Sequence, residues 1–384
     1  MEYRELFDAC KENAISGRYV TLDDILPLLK QHSSHGMVKS VGNSVNGLPL
    51  LSYKVGSGPR RILLWSQMHG NETTATKALF DVFNFLCGKS EPARKLLSEF
   101  TFCFVPMLNP DGAKAYTREN AAGIDLNRDF HELTQPESRA LVELFEEFEP
   151  EICYNLHDQR TIFGVGDTGR PATISFLSPA FNHNCDMNAC RQKAVEVIVG
   201  MNAVLQALIP GQVGRFDDSF NINCVGDNFQ FRGIPTVLIE AGHYPSDYQR
   251  EQTRFYFFVS LLSGFQYLSE NDIVANAIDD YLNIPQNKTV FFDFVYRNVN
   301  VNYDGIEKNT NFAAQYKEEL VGKTIGFDAY IVQVGNLENH YGHIEINADG
   351  RIFRNDAHNF PEIGQKANFY LGNDVKIVNG LKKM

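Results

Sequence analysis

The stretch from Arg61 to Leu86, RILLWSQMHGNETTATKALFDVFNFL, contains the transition that decides the fold. Its first seven residues form a compact apolar run typical of a buried strand. From Glu72 onward the apolar residues recur at helical spacing on one face. The turn Met68-His69-Gly70-Asn71 lies between the two. A buried strand followed at once by an amphipathic helix predicts a strand–helix unit of an α/β sheet.

The same alternation recurs along the chain. An Asn46-Gly47 turn joins two extended runs and predicts a hairpin before this unit. Further strand-like runs occupy residues 100–107, 151–156 and 235–239, and helix-like segments occupy residues 136–148 and 252–268. Strands that alternate with helices predict a mostly parallel mixed sheet with helices on both faces.

The chain changes character towards its end. From Thr289 onward, short strand-like runs are separated by Gly, Asn and Asp turns. We therefore expect a boundary near Ile284, with an α/β domain over residues 1–284. Residues 285–384 are expected to form a small all-β domain, either a sandwich or a barrel.

Composition excludes several classes of partner. The formal charge of −12 and the lack of a Lys/Arg cluster argue against a nucleic-acid partner. We expect no membrane partner, because no stretch is long and apolar enough to span a bilayer and the first residues lack a secretory pattern. Seven cysteines without zinc-ribbon spacing predict mainly free thiols and a cytoplasmic location. The oligomeric state is left open.

Polar residues stand where the predicted strands end. His69, the segment Asn109-Pro-Asp-Gly112, His157 and Glu240 each follow a different strand-like run. In open parallel sheets, ligands bind beyond the carboxyl ends of the strands. These four segments are therefore expected to converge on one cleft.

The residue types at these positions indicate a metal. His69 and Glu72 form H-x-x-E across a tight turn, and His157 is the candidate third ligand. Two His and one Glu with an open fourth position are a known catalytic zinc set. Since zinc lowers the pKa of a coordinated water to about 7, a neighbouring carboxylate can take its proton, and Glu240 suits that role. We expect one zinc per chain.

The order of these motifs resembles that of the zinc carboxypeptidases (the carboxypeptidase A/B type), over residues from about Tyr19 to Leu268. H-x-x-E is followed by N-P-D-G, then by D-x-N-R at Asp125, Asn127 and Arg128, and finally by the strand-end His and the late Glu. The resemblance implies a carboxypeptidase-like catalytic domain that hydrolyses the C-terminal peptide bond of peptides.

The resemblance also implies roles for individual residues. Asn127 and Arg128 would bind the terminal carboxylate of the substrate, for which the planar fork of Arg is suited. Asp125 would support a zinc-binding His. Arg118, which lies between the two motifs, would polarise the scissile carbonyl and stabilise the oxyanion.

Two departures from the digestive enzymes keep alternatives open. Asp158 follows His157 where those enzymes carry a small hydroxyl residue, and residues 214–235 contain no Tyr to serve as their mobile Tyr. Tyr244 or Tyr248 is a candidate replacement. The alternative function is a zinc amidase or deacylase of the same superfamily, acting on cell-wall peptides or N-acyl amino acids. A non-catalytic binding protein is a third reading, disfavoured because every motif residue is present.

Overall fold

The computed structural model describes residues 2–270, 277–303, 305–356 and 358–383. The chain divides into two compact units. The first contains residues 1–159 and 172–287, and the second contains residues 160–171 and 288–384. The sequence predicted a boundary near Ile284. It did not predict that residues 160–171 belong to the second unit.

The helices are, in chain order, α1 (Tyr3–Cys10), α2 (Leu22–His32), α3 (Thr74–Leu86), α4 (Glu91–Glu99), α5 (Pro110–Ala115), α6 (Pro136–Phe148), α7 (Ala189–Leu208), α8 (Val225–Phe231), α9 (Glu251–Glu270) and α10 (Ala277–Leu282). The strands are β1 (Met37–Asn43), β2 (Pro49–Gly56), β3 (Arg60–Trp65), β4 (Phe100–Val105), β5 (Ile152–Asp158), β6 (Phe163–Val165), β7 (Ile174–Leu177), β8 (Val213–Arg215), β9 (Thr236–Ala241), β10 (Asn287–Thr289), β11 (Phe291–Tyr303), β12 (Ile306–Val321), β13 (Thr324–Val334), β14 (Tyr341–Asn347), β15 (Phe353–Arg354), β16 (Phe369–Leu371), β17 (Val375–Val378) and β18 (Leu381–Lys382). Within the described ranges, no helix combines the length and apolarity needed to cross a membrane.

The first unit contains an eight-stranded mixed sheet in the order β1-β2-β4-β3-β5-β9-β7-β8. The central strands β4, β3, β5 and β9 are mutually parallel. Antiparallel pairs join β1 to β2, β2 to β4 and β7 to β9. The four predicted strand ends therefore belong to four adjacent parallel strands, and they meet at one edge of the sheet.

Both faces of this sheet are covered by helices, because apolar residues alternate between its two sides. On one side, Tyr154 of β5 belongs to a core that includes residues of α3, α7 and α9. On the other side, Cys153 packs in a cluster with Phe145 of α6 and Phe229 of α8. The expected α/β class, a mostly parallel mixed sheet with helices on both faces, is confirmed.

The second unit is built from β-strands. One sheet has the order β13-β12-β11-β14, a second has the order β15-β16-β17-β18, and β6 pairs with β10. The two four-stranded sheets share an apolar core that includes Phe294, Phe312, Ile331, Phe369 and Ile377. A core shared by two sheets is the arrangement of a β-sandwich.

Candidate metal centre

The three predicted metal ligands lie together. His69 stands on the turn between β3 and α3, and the backbone N–H of Glu72 donates to the His69 carbonyl (3.1 Å), which closes this turn. His69 Nδ1 is 2.7 Å from Glu72 Oε1, and His157 Nδ1 is 2.8 Å from Glu72 Oε2. The two Nδ1 atoms are 3.2 Å apart. One carboxylate and two imidazoles therefore point at a common centre.

This donor set fits a zinc ion. The ligand atoms of two imidazoles and one carboxylate lie within 4.8 Å of one another, and these are ligand types that zinc prefers. Zinc bonds of about 2.0 to 2.2 Å in a tetrahedron place ligand atoms about 3.3 Å apart, and the two Nδ1 atoms are 3.2 Å apart. His69 Nε2 lies 3.1 Å from Asp125 Oδ1, the outer carboxylate contact that commonly orients a metal-binding His.

The protonation states also suit a metal. Burial disfavours the charge on Glu72, but the two neighbouring imidazoles outweigh this effect and hold its pKa well below the usual range. Burial lowers the pKa of His157, which favours the neutral imidazole that binds metals.

Asn109 and two glycines hold the turn that carries His69. Asn109 Oδ1 accepts from the N–H of Gly112 (2.8 Å), and Asn109 Nδ2 donates to the carbonyl of Met68 (3.1 Å). A Cβ at Gly70 would lie 2.0 Å from the carbonyl carbon of Gly112. The N-P-D-G motif thus supports the H-x-x-E turn. Gly70 is needed for the close approach of the two backbones, and Gly112 is needed because a Cβ there would meet Asn109 Nδ2 and the Glu119 carbonyl oxygen, each at 2.5 Å.

Arg118 lies beside the ligand cluster. Its Nε and Nη2 donate to Asp125 Oδ2 at 3.1 and 3.0 Å. Its Nη1 lies 3.4 Å from Glu72 Oε1. These contacts hold the guanidinium at the ligand cluster. Its side chain is 41% exposed, so it also reaches solvent.

The D-x-N-R segment continues from the same carboxylate. Asp125 Oδ1 accepts from the N–H of Asn127 (2.9 Å) and begins a short 3-10 turn over Leu126–Arg128. Asn127 is buried, and its Oδ1 accepts from the N–H of Val225 (3.0 Å). Arg128 is exposed, and its Nη1 donates to the Asn127 carbonyl (2.7 Å). A fixed amide and a solvent-facing guanidinium therefore lie next to each other.

Strand register places Glu240 beside the cluster. His157 and Glu240 are paired residues on the parallel strands β5 and β9, so their side chains leave the same face of the sheet. Glu240 Oε2 is buried and has no hydrogen-bond partner among the described residues. Burial raises the pKa of Glu240 well above its usual value, and the charges of Glu72 and Asp158 add to this effect. Such a carboxyl group is suited to taking up a proton and holding it.

The structure thus brings the predicted site residues into one region of the first unit, with the ligand trio, Arg118 and Asp125 in direct contact.

Two side chains of β5 were not assigned a role from the sequence. Asp158 Oδ2 accepts from the N–H and hydroxyl of Thr74 at 3.1 and 2.6 Å, so this residue anchors the start of α3. Asn155 is a buried polar residue on the His157 face of the strand. The alternation of side chains along β5 was the signal that could have separated these two roles.

In this α/β fold, the trio of His69, Glu72 and His157 has the ligand types of a metal site, and a carboxyl group lies on the neighbouring strand. Residues 24–159 match the family model described as zinc carboxypeptidase. The matched segment covers about a third of the chain and contains H-x-x-E, N-P-D-G, D-x-N-R and His157.

Individual proteins show the same likeness. Carboxypeptidase SOL1 of Arabidopsis thaliana is 30% identical over 147 residues, which covers 32% of this chain and 30% of that protein. The metallo-carboxypeptidase from Burkholderia cenocepacia shares the fold with a TM-score of 0.54 at 17% identity, over 66% of this chain and 70% of that chain. The carboxypeptidase A from Helicoverpa armigera gives a TM-score of 0.53 at 15% identity, over 70% of this chain and 80% of that chain. The match to SOL1 spans less than a third of that protein.

Proposed function

We propose that this protein is a zinc-dependent metallocarboxypeptidase that hydrolyses the C-terminal peptide bond of peptides. The observation that carries the proposal is the convergence of His69, Glu72 and His157 in one buried trio. Arg118 contacts this trio, Glu240 pairs with His157 in the strand register, and Arg128 lies next to Asn127. This set contains a metal-binding group, a proton acceptor and a carboxylate-binding group, which together are what an exopeptidase needs.

A bound zinc would polarise the scissile carbonyl and lower the pKa of a water at its open position. Glu240 accepts the proton of the attacking water and delivers it to the leaving amine. Burial and the charges of Glu72 and Asp158 raise its pKa, and the positive charge of a bound zinc would offset them, so that Glu240 is ionised before it accepts the proton. Arg118 stabilises the negative charge that develops on the carbonyl oxygen, since Asp125 fixes its guanidinium beside the ligand cluster.

Asn127 and Arg128 bind the terminal carboxylate of the substrate. The guanidinium of Arg128 is exposed to solvent and offers paired N–H groups to a carboxylate. Asn127 is held in place through Val225 and Asp125, so its position is fixed before substrate arrives. These two residues decide between an exopeptidase and an amidase that acts on an uncharged terminus.

The test compares matched peptides that carry a free or an amidated C-terminus, using wild type and Arg128→Ala. Wild type is expected to cleave only the free-carboxylate peptide. Arg128→Ala is expected to lose about thirtyfold or more in kcat/KM on it, since breaking a desolvated charge pair costs roughly 2 to 5 kcal/mol. Arg232→Ala, which changes an exposed arginine paired with Glu146, is the matched control. Equal cleavage of both peptides by wild type would replace the carboxypeptidase with the zinc amidase or deacylase.

The cysteines support a proposal on location. All seven are free thiols, and Cys103 and Cys153 are buried in the first unit. We propose a cytoplasmic location, because thiols stay reduced there. Fractionation of cells with an antibody against the chain tests it, and recovery from an oxidising compartment would refute it.

A further inference from the structure

Asn155 lies in the middle of β5 with its amide group unsatisfied. The residue is 1% exposed, and neither its Nδ2 nor its Oδ1 has a hydrogen-bond partner among the described residues. An unmade hydrogen bond on a buried polar group costs roughly 1 to 3 kcal/mol, and most such groups in folded proteins are paired. The carboxamide of Asn155 therefore has an unused donor and an unused acceptor.

The position of Asn155 points to the substrate. Asn155 and His157 are two residues apart on one strand, so they leave the same face of the sheet about 7 Å apart. In the register, Asn155 pairs with Leu238 of β9, just as His157 pairs with Glu240. Asn155 thus lies one step further into the sheet than the metal ligand and the proton acceptor.

Helix α8 connects this amide to the carboxylate-binding pair. A Cβ at Gly226 would be 3.9 Å from Asn155 Nδ2, so the backbone of Gly226 passes close to the amide. The preceding residue, Val225, donates its N–H to Asn127 Oδ1. Asn155 is therefore a near neighbour of His157 along β5, and two consecutive residues of α8 connect it to Asn127. In the proposed complex, the substrate's last residue has its peptide carbonyl at the metal and its carboxylate at Asn127, so we place its side chain near Asn155.

We propose that Asn155 is a specificity-determining residue that binds the side chain of the substrate's C-terminal residue and selects a carboxamide, as in Asn or Gln. The proposal rests on the carboxypeptidase function. A carboxamide accepts from Asn155 Nδ2 and donates to Asn155 Oδ1 at the same time, so it satisfies both ends of the buried amide.

Other side chains satisfy Asn155 less well. A carboxylate accepts from Nδ2 but cannot donate to Oδ1, and an ammonium donates to Oδ1 but leaves Nδ2 unpaired. An aliphatic side chain pairs with neither and excludes the water that would otherwise do so. A site built to hydrogen-bond a polar group discriminates strongly against analogues that lack it, because its own buried groups are then left unpaired.

The experiment uses free-carboxylate peptides that differ only in the last residue: Gln against Met, Asn against Leu, with Glu, Asp, Lys and Arg peptides included. For zinc-loaded wild type, we expect kcat/KM to favour Gln over Met and Asn over Leu by about 10² or more. Asn155→Leu keeps the volume and removes both polar ends, and it is expected to bring these ratios to about one or below. Asn155→Asp, which retains an acceptor and loses the donor, is expected to lose the preference too, and it serves if Asn155→Leu does not fold.

Failure of this proposal is distinguishable from failure of the proposed function. Ratios near one in wild type, ratios unchanged in both variants, or a preference for charged residues would each overturn the role of Asn155 while the enzyme remained a carboxypeptidase. If free-carboxylate peptides were not cleaved, calorimetry with free L-glutamine and L-methionine would still measure the subsite. Tighter glutamine binding by wild type, lost in both variants, is the expected result, and equal binding of the two amino acids would overturn the assignment.

Discussion

At the scale of single residues, the environment of Glu240 differs strongly from that of a solvated carboxyl group. It is buried beside Glu72 and Asp158, and the repulsion between these acids adds to the burial that raises its pKa. Positive charge at the ligand trio would offset this repulsion and return Glu240 towards the ionised form needed to accept a proton. Metal binding and base strength are therefore linked at this residue.

Glu240→Gln is expected to lower kcat by about 10² to 10⁴ while leaving zinc content unchanged, because the amide keeps the shape but cannot accept the proton. Turnover on a free-carboxylate peptide and metal analysis of the same preparation measure the two effects. Glu147→Gln changes an exposed carboxylate on α6 and is the matched control. Activity of Glu240→Gln within a few-fold of wild type would remove Glu240 from the proposed mechanism.

The site residues named from the sequence were those whose type and spacing carry chemistry. H-x-x-E, N-P-D-G and D-x-N-R are local patterns, so a single sequence suffices to find them. The free amide of Asn155 was not predictable in this way, because its lack of partners depends on what β9 and α8 place around it. The contacts of Asp158 with Thr74 likewise join positions far apart in sequence.

At the scale of secondary-structure elements, the turn before α3 and the start of α5 are fitted to each other through backbone atoms. A Cβ at Gly70 would meet the carbonyl carbon and oxygen of Gly112 at 2.0 and 2.5 Å, and backbone atoms cannot move aside as a side chain can. His69 is the neighbour of Gly70. Any displacement of this turn therefore moves a predicted zinc ligand.

Gly70→Ala is expected to lower the free energy of unfolding by roughly 1 to 3 kcal/mol, the usual cost of forcing extra volume into a packed site. It is also expected to weaken zinc binding about tenfold or more. Urea unfolding and zinc titration measure these effects. Gly326→Ala is the control, because the nearest atom to its Cβ would be a side-chain methyl of Val321 at 3.2 Å. Equal behaviour of the two variants would show that the close approach is not critical.

Helices α3 and α9 are joined by a buried ionic network. Arg254 donates to both carboxylate oxygens of Asp81, at 2.7 and 2.5 Å. Lys77 Nζ donates to Glu251 Oε1 at 2.7 Å, and Lys11 Nζ lies 2.9 Å from Glu251 Oε2. Glu251 is therefore the main counter-charge of a lysine that is fully buried.

Glu251→Gln is expected to lower the free energy of unfolding at pH 7 by roughly 2 to 4 kcal/mol, because Lys77 loses its charged partner. Burial disfavours the Glu251 charge, but Lys77 and its neighbours outweigh this and lower the pKa to about 2. With the folded pKa below the unfolded value near 4.5, the stabilisation is complete above about pH 5 and is lost as the pH falls through 4 towards 2.

Urea unfolding of wild type and Glu251→Gln from pH 7 to pH 3 tests this. The difference between the two proteins should shrink steadily below pH 5. Glu270→Gln, at the exposed end of the same helix, is the control and should match wild type throughout. A difference independent of pH would mean that the carboxylate charge of Glu251 does not stabilise the fold.

At the scale of the whole molecule, the sequence predicted the strands of the large sheet but not the assignment of residues 160–171 to the second unit. The apolar runs at 61–67, 100–107, 151–156 and 235–239 became adjacent parallel strands, since each carries its own burial signal. The excursion of residues 160–171 carries no such signal. It is explained by contacts that only the fold reveals: Gln315 Nε2 donates to Thr161 Oγ1 (2.8 Å), and His343 Nε2 lies 2.8 Å from the Thr161 carbonyl.

These contacts decide what a shortened chain would do. A chain that ends at Asn287 keeps His69, Glu72 and His157, which all belong to the first unit, so we expect it to bind about one zinc per chain. Residues 160–171 would lose the partners that Gln315 and His343 provide, and their backbone amides should exchange hydrogen much faster than in the full chain. Hydrogen exchange resolved to peptides, together with metal analysis, measures both effects.

His157→Ala in the full chain is the control, which should lose zinc while the backbone amides of residues 160–171 stay protected from exchange. If the shortened chain kept its far-UV spectrum but bound no zinc, a ligand from the second unit, such as His340, His343 or His358, would have to replace one of the three.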